Sequence, residues 1–64
     1  MSVENKREMV KNRIENIIRN CNDMLEDYRD NDADELYFTD KFDFIIRDAK
    51  EAKDTCYEIV DMEA

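Results

Sequence analysis

The side chains with the most chemistry to offer are 18 carboxylates and two thiols, set in 64 residues that contain no histidine. Three carboxylates have a spacing worth testing. Asp30, Asp32 and Asp34 fall at positions 1, 3 and 5 of an EF-hand-like loop, where calcium takes clustered hard oxygen ligands. The pattern then breaks. Position 6, which needs glycine for the sharp turn, is Glu35, and position 12, which needs a bidentate glutamate, is Lys41. The stretch therefore reads as an acidic turn and helix cap. Di-metal carboxylate bundles use inward glutamates, two of them with a histidine three residues on, and that set is missing too. Without histidine the usual general base near neutral pH is lacking. The chain also has no glycine, hence no glycine-rich phosphate loop. The expectation is a protein that is not an enzyme and has no cofactor, metal or catalytic residue.

Cys21 and Cys56 lie on apolar stripes and are expected to be buried thiols acting as small hydrophobes. A hairpin turning near residue 32 places Cys21 near Phe42, and one turning near residue 35 places it near Ala49. Neither brings the two cysteines within disulfide range. The alternative is an intermolecular disulfide or a redox switch.

The elements that carry these residues are written in heptads. Val3, Val10, Ile17 and Met24 repeat every seven residues, interleaved with Arg7, Ile14, Cys21 and Tyr28, with Ile18 and Leu25 alongside. After an acidic middle the pattern returns as Phe42, Ala49 and Cys56, interleaved with Ile45, Ala52 and Ile59, with Ile46 and Val60 alongside. Such a repeat puts one apolar stripe on one side of an α-helix. The absence of glycine and proline suits a nearly all-helical chain. The fold expected is all-α: one domain, residues 1–64, forming an antiparallel helical hairpin. Helix 1 spans about residues 3–29, with Ser2 as cap, and the turn about residues 30–32. Helix 2 spans about residues 33–62, with Asp32 and Glu35 as a capping box. A later start near Thr39 or Asp40 is the alternative. A core this small is marginal alone, so the hairpin is expected to self-associate, as a homodimeric four-helix bundle. Ile17 and Ile45 are expected among its most buried residues. No run spans a bilayer and no apolar leader core follows Met1, which points to a soluble, cytoplasmic protein.

Charge is uneven. Residues 1–21 carry net +2, residues 22–43 net −7 and residues 44–64 net −3, within a total of −8. The hairpin tip is thus strongly acidic, a field that favours a basic partner. Off the stripes, Leu36, Tyr37 and Phe44 point away from helix 1, as do Met9, Tyr57 and Met62. An aromatic patch rimmed by charge is typical of a protein-binding site. The leading expectation is a small acidic regulator or inhibitor that occludes a basic or groove-like surface of a partner protein. Asp30, Asp32, Asp34, Glu35, Leu36, Tyr37, Phe38 and Phe44 would make the contact. In composition the chain is similar to small phage-encoded inhibitors and decoys.

Helix 1 also carries Lys6, Lys11, Arg13 and Arg19, with Asn5, Asn12, Asn16 and Asn20 on what should be outer faces. These basic residues either pair with acids of helix 2 or form a phosphate-contacting face. In the second case the layout is similar to the Rop family of plasmid RNA-binding proteins, antiparallel hairpin dimers of about this length. That likeness is of layout, with no motif shared in register. It implies a dimeric RNA- or DNA-binding regulator. A third reading is a small-ligand pocket at a subunit interface, with Lys6, Arg13 or Arg19 receiving a phosphate.

Overall fold

The computed structural model describes residues 2–30 and 34–63, and it is a two-helix antiparallel hairpin. Helix α1 spans Val3–Asp30 and α2 spans Glu35–Glu63. The described residues measure 48 × 16 × 14 Å, one helix pair in cross-section.

Both helices start on side-chain caps. Ser2 Oγ accepts from the Asn5 backbone N–H at 3.2 Å, satisfying a donor that the first turn leaves free. At α2 the cap is Asp34, whose Oδ1 accepts from the Tyr37 N–H at 3.0 Å. This corrects the expected capping box, whose Asp32 lies outside the described residues. Helix α2 runs unbroken through Thr39 and Asp40, so the later start is also corrected. Thr39 stays in the helix with its hydroxyl donating to the Leu36 carbonyl at 2.6 Å.

The register is fixed by cross-helix polar contacts. Lys6 meets Glu58, Arg13 meets Glu51 and Asp27 meets Tyr37, so residue i lies level with residue 64 − i. This is the register of the earlier of the two turns expected, and Cys21 shares a groove with Phe42. Cys56 is fourteen residues further along α2, about 21 Å away at ~1.5 Å per residue, so the two thiols cannot join within one hairpin.

One apolar row of each helix faces the other: Val3, Val10, Ile17 and Met24 on α1, and Phe38, Ile45, Ala52 and Ile59 on α2. All eight are buried or half-buried. The row beside each is polar. Lys6, Arg13, Asn20 and Asp27 on α1, and Lys41, Asp48 and Thr55 on α2, are also buried or half-buried. The expectation that Arg7, Ile14, Cys21, Tyr28, Phe42, Ala49 and Cys56 complete the core is overturned, since all seven are exposed. Both cysteines are thus exposed thiols, not buried ones. Ile17 and Ile45 are only half-buried, and the most enclosed residues are Met24, Phe38, Ala52 and Asp48. Asn16 and Asn20 are half-buried rather than on an outer face.

Phe38 is 4% exposed and stacks on Tyr28 with ring centroids 4.9 Å apart, pinning the tip. Truncating it removes the best-enclosed apolar side chain. Phe38→Ala is expected to cost about 3–5 kcal/mol, or unfold the chain, while Leu36→Ala next to it changes stability by less than about 0.5 kcal/mol. Urea denaturation followed by circular dichroism checks the pair, and equal effects would refute the assigned inward face.

Candidate interaction surfaces

The hairpin has two unlike long faces, because each helix places its polar inner row on the same side. Heptad letters make this explicit. With Val3 and Phe38 as position a, the polar inner rows are d, flanked by row g, and the exposed apolar rows are e and b. In an antiparallel pair the e rows share one side and the g rows the other.

The d/g side is held by ion pairs. The Lys6 ammonium lies 2.5 Å from Glu58. The Arg13 guanidinium reaches Asp48 at 3.4 Å and Glu51 at 2.7 Å. Tyr37 donates its hydroxyl to Asp27 at 2.9 Å. Asp48 is 8% exposed, so Arg13 holds a carboxylate that water barely reaches.

Of the basic residues expected as a nucleic-acid face, Lys6 and Arg13 are therefore tied to acids of α2. Lys11 lies on row b, 4.0 Å from Glu15, and Arg19 on row c. The four are spread over three rows rather than gathered on one face.

The expected partner-binding residues divide at the tip. Asp30, Asp34 and Glu35 are exposed, and Asp32 lies outside the described residues. Leu36 is 76% exposed and Phe44 52% exposed. Tyr37 and Phe44 are two turns apart on a continuous helix and share row g. The Lys41 ammonium sits 5.5 Å over the Tyr37 ring, and the Arg47 guanidinium 5.3 Å over the Phe44 ring. Phe38 is the exception. Its ring is packed between Tyr28 and Tyr37, so it shapes the tip from beneath and offers no surface.

On the e/b side the sequence marks Ile18, Leu25, Ile46 and Val60 as stripe-edge residues that a lone hairpin leaves uncovered, and the structure adds row e, which was expected inside. Ile14, Ile18, Leu25 and Tyr28 of α1 and Phe42, Ile46 and Val60 of α2 are each about half exposed or more. At the tip this side opens into a groove lined by Cys21, Leu25, Tyr28, Glu35, Thr39 and Phe42, with buried Met24 and Phe38. At the open end a second hollow is lined by Arg7, Val10, Cys56, Ile59 and Val60. The signal that could have found row e on the outside is charge on the opposite flank: Lys6 and Arg13 are seven apart, as are Glu51 and Glu58.

No family model, curated protein or solved structure matches this chain. No described helix is long and apolar enough to cross a membrane.

The Arg13–Asp48 pair carries a test of the polar seam. Arg13→Met leaves Asp48 enclosed without its cation and is expected to cost about 1–2 kcal/mol, discounted because the arginine is itself partly exposed. Adding Asp48→Met removes the stranded charge. In thermal denaturation the double variant is expected to melt above the single one, and a double variant that melts lower would show that Asp48 is held by something other than Arg13.

Proposed function

We propose that this chain is a small acidic protein-binding regulator, acting as a self-associated hairpin whose tip occludes a basic surface of a partner protein. The observation that carries this reading is the tip patch. Leu36, Tyr37 and Phe44 stay exposed beside Asp30, Asp34, Glu35, Asp40 and Asp43. Aromatic and aliphatic side chains set among charge supply contact area, and the carboxylates steer a cationic partner into it. Lys41 and Arg47 already lie over the two rings, so these aromatic faces accept cations. A basic partner side chain can take the same place. The mechanism is occupation rather than chemistry: the regulator fills a groove that the partner needs open. Self-association is supported by the uncovered e/b face, which a lone hairpin leaves in water.

Charge reversal tests this reading, provided the helix cap is left alone. Asp30→Lys, Asp32→Lys and Glu35→Lys combined, with Asp34 kept as cap, should leave the helical circular dichroism unchanged. Capture of a protein partner from host lysate should fall with added salt for the wild type and be lost in this variant. Against the purified partner, association should slow by about 10–100-fold at low salt. Leu36→Ala with Phe44→Ala should weaken binding at all salt concentrations. A gel shift with cellular RNA and DNA is the opposing test. A wild-type shift abolished by alanine at Lys6, Lys11 and Arg13 would replace this reading with a nucleic-acid one.

A further inference from the structure

We propose that the e/b face is covered by a second copy of this chain lying antiparallel to the first, so that each acidic tip rests against the open end of the other hairpin. The inference rests on the self-association proposed above and adds to it the face and the orientation.

The angular position of the apolar rows argues for a second hairpin. At ~100° per residue, rows a, e and b fill a sector about 100° wide. Its middle lies about 80° round each helix from the line where α1 meets α2. Neighbours set near a right angle are the arrangement of four helices around one centre. A flat face on both helices at once fits a hairpin better than a single groove-bound helix. The area also fits. A 48 × 16 Å side projects to roughly 770 Å², close to the ~800 Å² per partner of a standard stable interface.

Charge then selects the orientation. Residues 18–48, the tip half, hold four basic and ten acidic side chains, net −6, and the remainder six and eight, net −2. A parallel pairing stacks the two −6 halves on each other. The antiparallel pairing sets each −6 half against a −2 half, which lowers the repulsion. It also lays α1 over α1 and α2 over α2 of the second copy, with Lys53 of row b within about one turn of the second copy's Asp43. The parallel pairing lays α1 over α2 instead and brings Lys11 to Lys53, both on row b.

Bulk selects the same orientation independently. The tip end of the face carries Tyr28 and Phe42 over Phe38, whereas the open end carries Val3, Val10, Cys56 and Val60. Parallel pairing would meet large with large at one end and small with small at the other, leaving a wedge. Antiparallel pairing meets large with small throughout: Phe42 comes over Ala49 and Ala52, and Tyr28 over Val3 and Val10. The spacing then stays even, as close packing requires. The Arg7 guanidinium of each copy arrives beside the Tyr28 ring of the other.

The experiment combines mass and distance. Asp30→Cys, in a Cys21→Ala, Cys56→Ala background, places a spin label at the tip, about 20 Å along the axis from the centre of α1 at ~1.5 Å per residue. Sedimentation equilibrium is expected to give a dimer, and double electron–electron resonance a label separation of about 40 Å. A dimer with labels within about 25 Å overturns the orientation. A monomer up to 100 µM (a concentration chosen for the test), or any other stoichiometry, overturns the second copy as occupant and shows that the face belongs to another partner. Mass thus reports on self-association and distance on orientation, and neither depends on the tip-binding test. Should the labelled variant fold poorly, wild-type chains mixed as ¹⁴N and ¹⁵N forms and coupled with a zero-length carbodiimide give the same answer. Lys53–Asp43 links between copies are expected, and Lys53–Glu8 or Lys53–Glu15 links between copies would overturn the orientation.

Discussion

Two helices lying side by side can enclose about one stripe of each, and here half of that stripe is polar. Row a supplies valine, isoleucine, methionine, phenylalanine and alanine, while row d supplies Lys6, Arg13, Asn20, Asp27, Lys41, Asp48 and Thr55. The rest of the structure follows from this division. Polar groups between helices must find partners, and Arg13 with Asp48 and Glu51 is where that demand is sharpest. Apolar rows e and b are turned outward as a consequence, since one helix cannot present both flanks of row a to a single neighbour.

Energetically the hairpin is held less by a core than by its two ends and its seam. Met24, Phe38 and Tyr28 clamp the tip, and Lys6–Glu58 with Arg7–Glu63 clasp the open end. Exposed ion pairs of the second kind contribute little singly, with a median of about 0–1 kcal/mol. Between the ends lie Ile17, Ile45 and Ala52, of which only the alanine is fully enclosed. Such a chain has its largest reserve of stability outside itself, in the half-exposed isoleucines, leucine and aromatics of the opposite face. Were a second copy to cover that face, as proposed, folding and association would be coupled and stability would depend on protein concentration.

The helices themselves were legible in the sequence, because a seven-residue apolar repeat without glycine or proline has one economical reading. Ser2 as a cap and a turn near residue 32 were legible for the same local reasons. The facing rows were not. Row a has an apolar neighbour on one flank and a polar neighbour on the other, and the rule that apolar residues go inside chooses the apolar flank, whereas the hairpin turns the polar flank inward. Ile14 and Phe42 were therefore placed inside, while the pairing of Lys6 and Arg13 with acids of helix 2 was one of two readings of those residues, and the structure shows that pairing. The decisive information is pairwise: a cation on α1 and acids on α2 coincide only once the hairpin register is known. Phe38 was misread for a related reason. It belongs to row a of α2, but the repeat as first traced began at Phe42, one turn later and one row over.

Separating the two faces gives each a distinct role. Row g and the tip carry the exposed rings with cations above them, and these rings with Asp30, Asp34 and Asp40 stay accessible whether or not the e/b face is covered, whereas Glu35 lines the e/b groove. A second hairpin on the e/b face would leave Tyr37 and Phe44 untouched, because they lie on the opposite side of α2 from Phe42 and Ile46. Antiparallel pairing would then place the two tip patches at opposite ends of one particle about 48 Å long. Two sites that far apart engage two partner molecules, or two distant points on one, more readily than they converge on a single pocket. The same geometry would keep the acidic tips apart, so the charge proposed to steer a basic partner would not work against the proposed assembly.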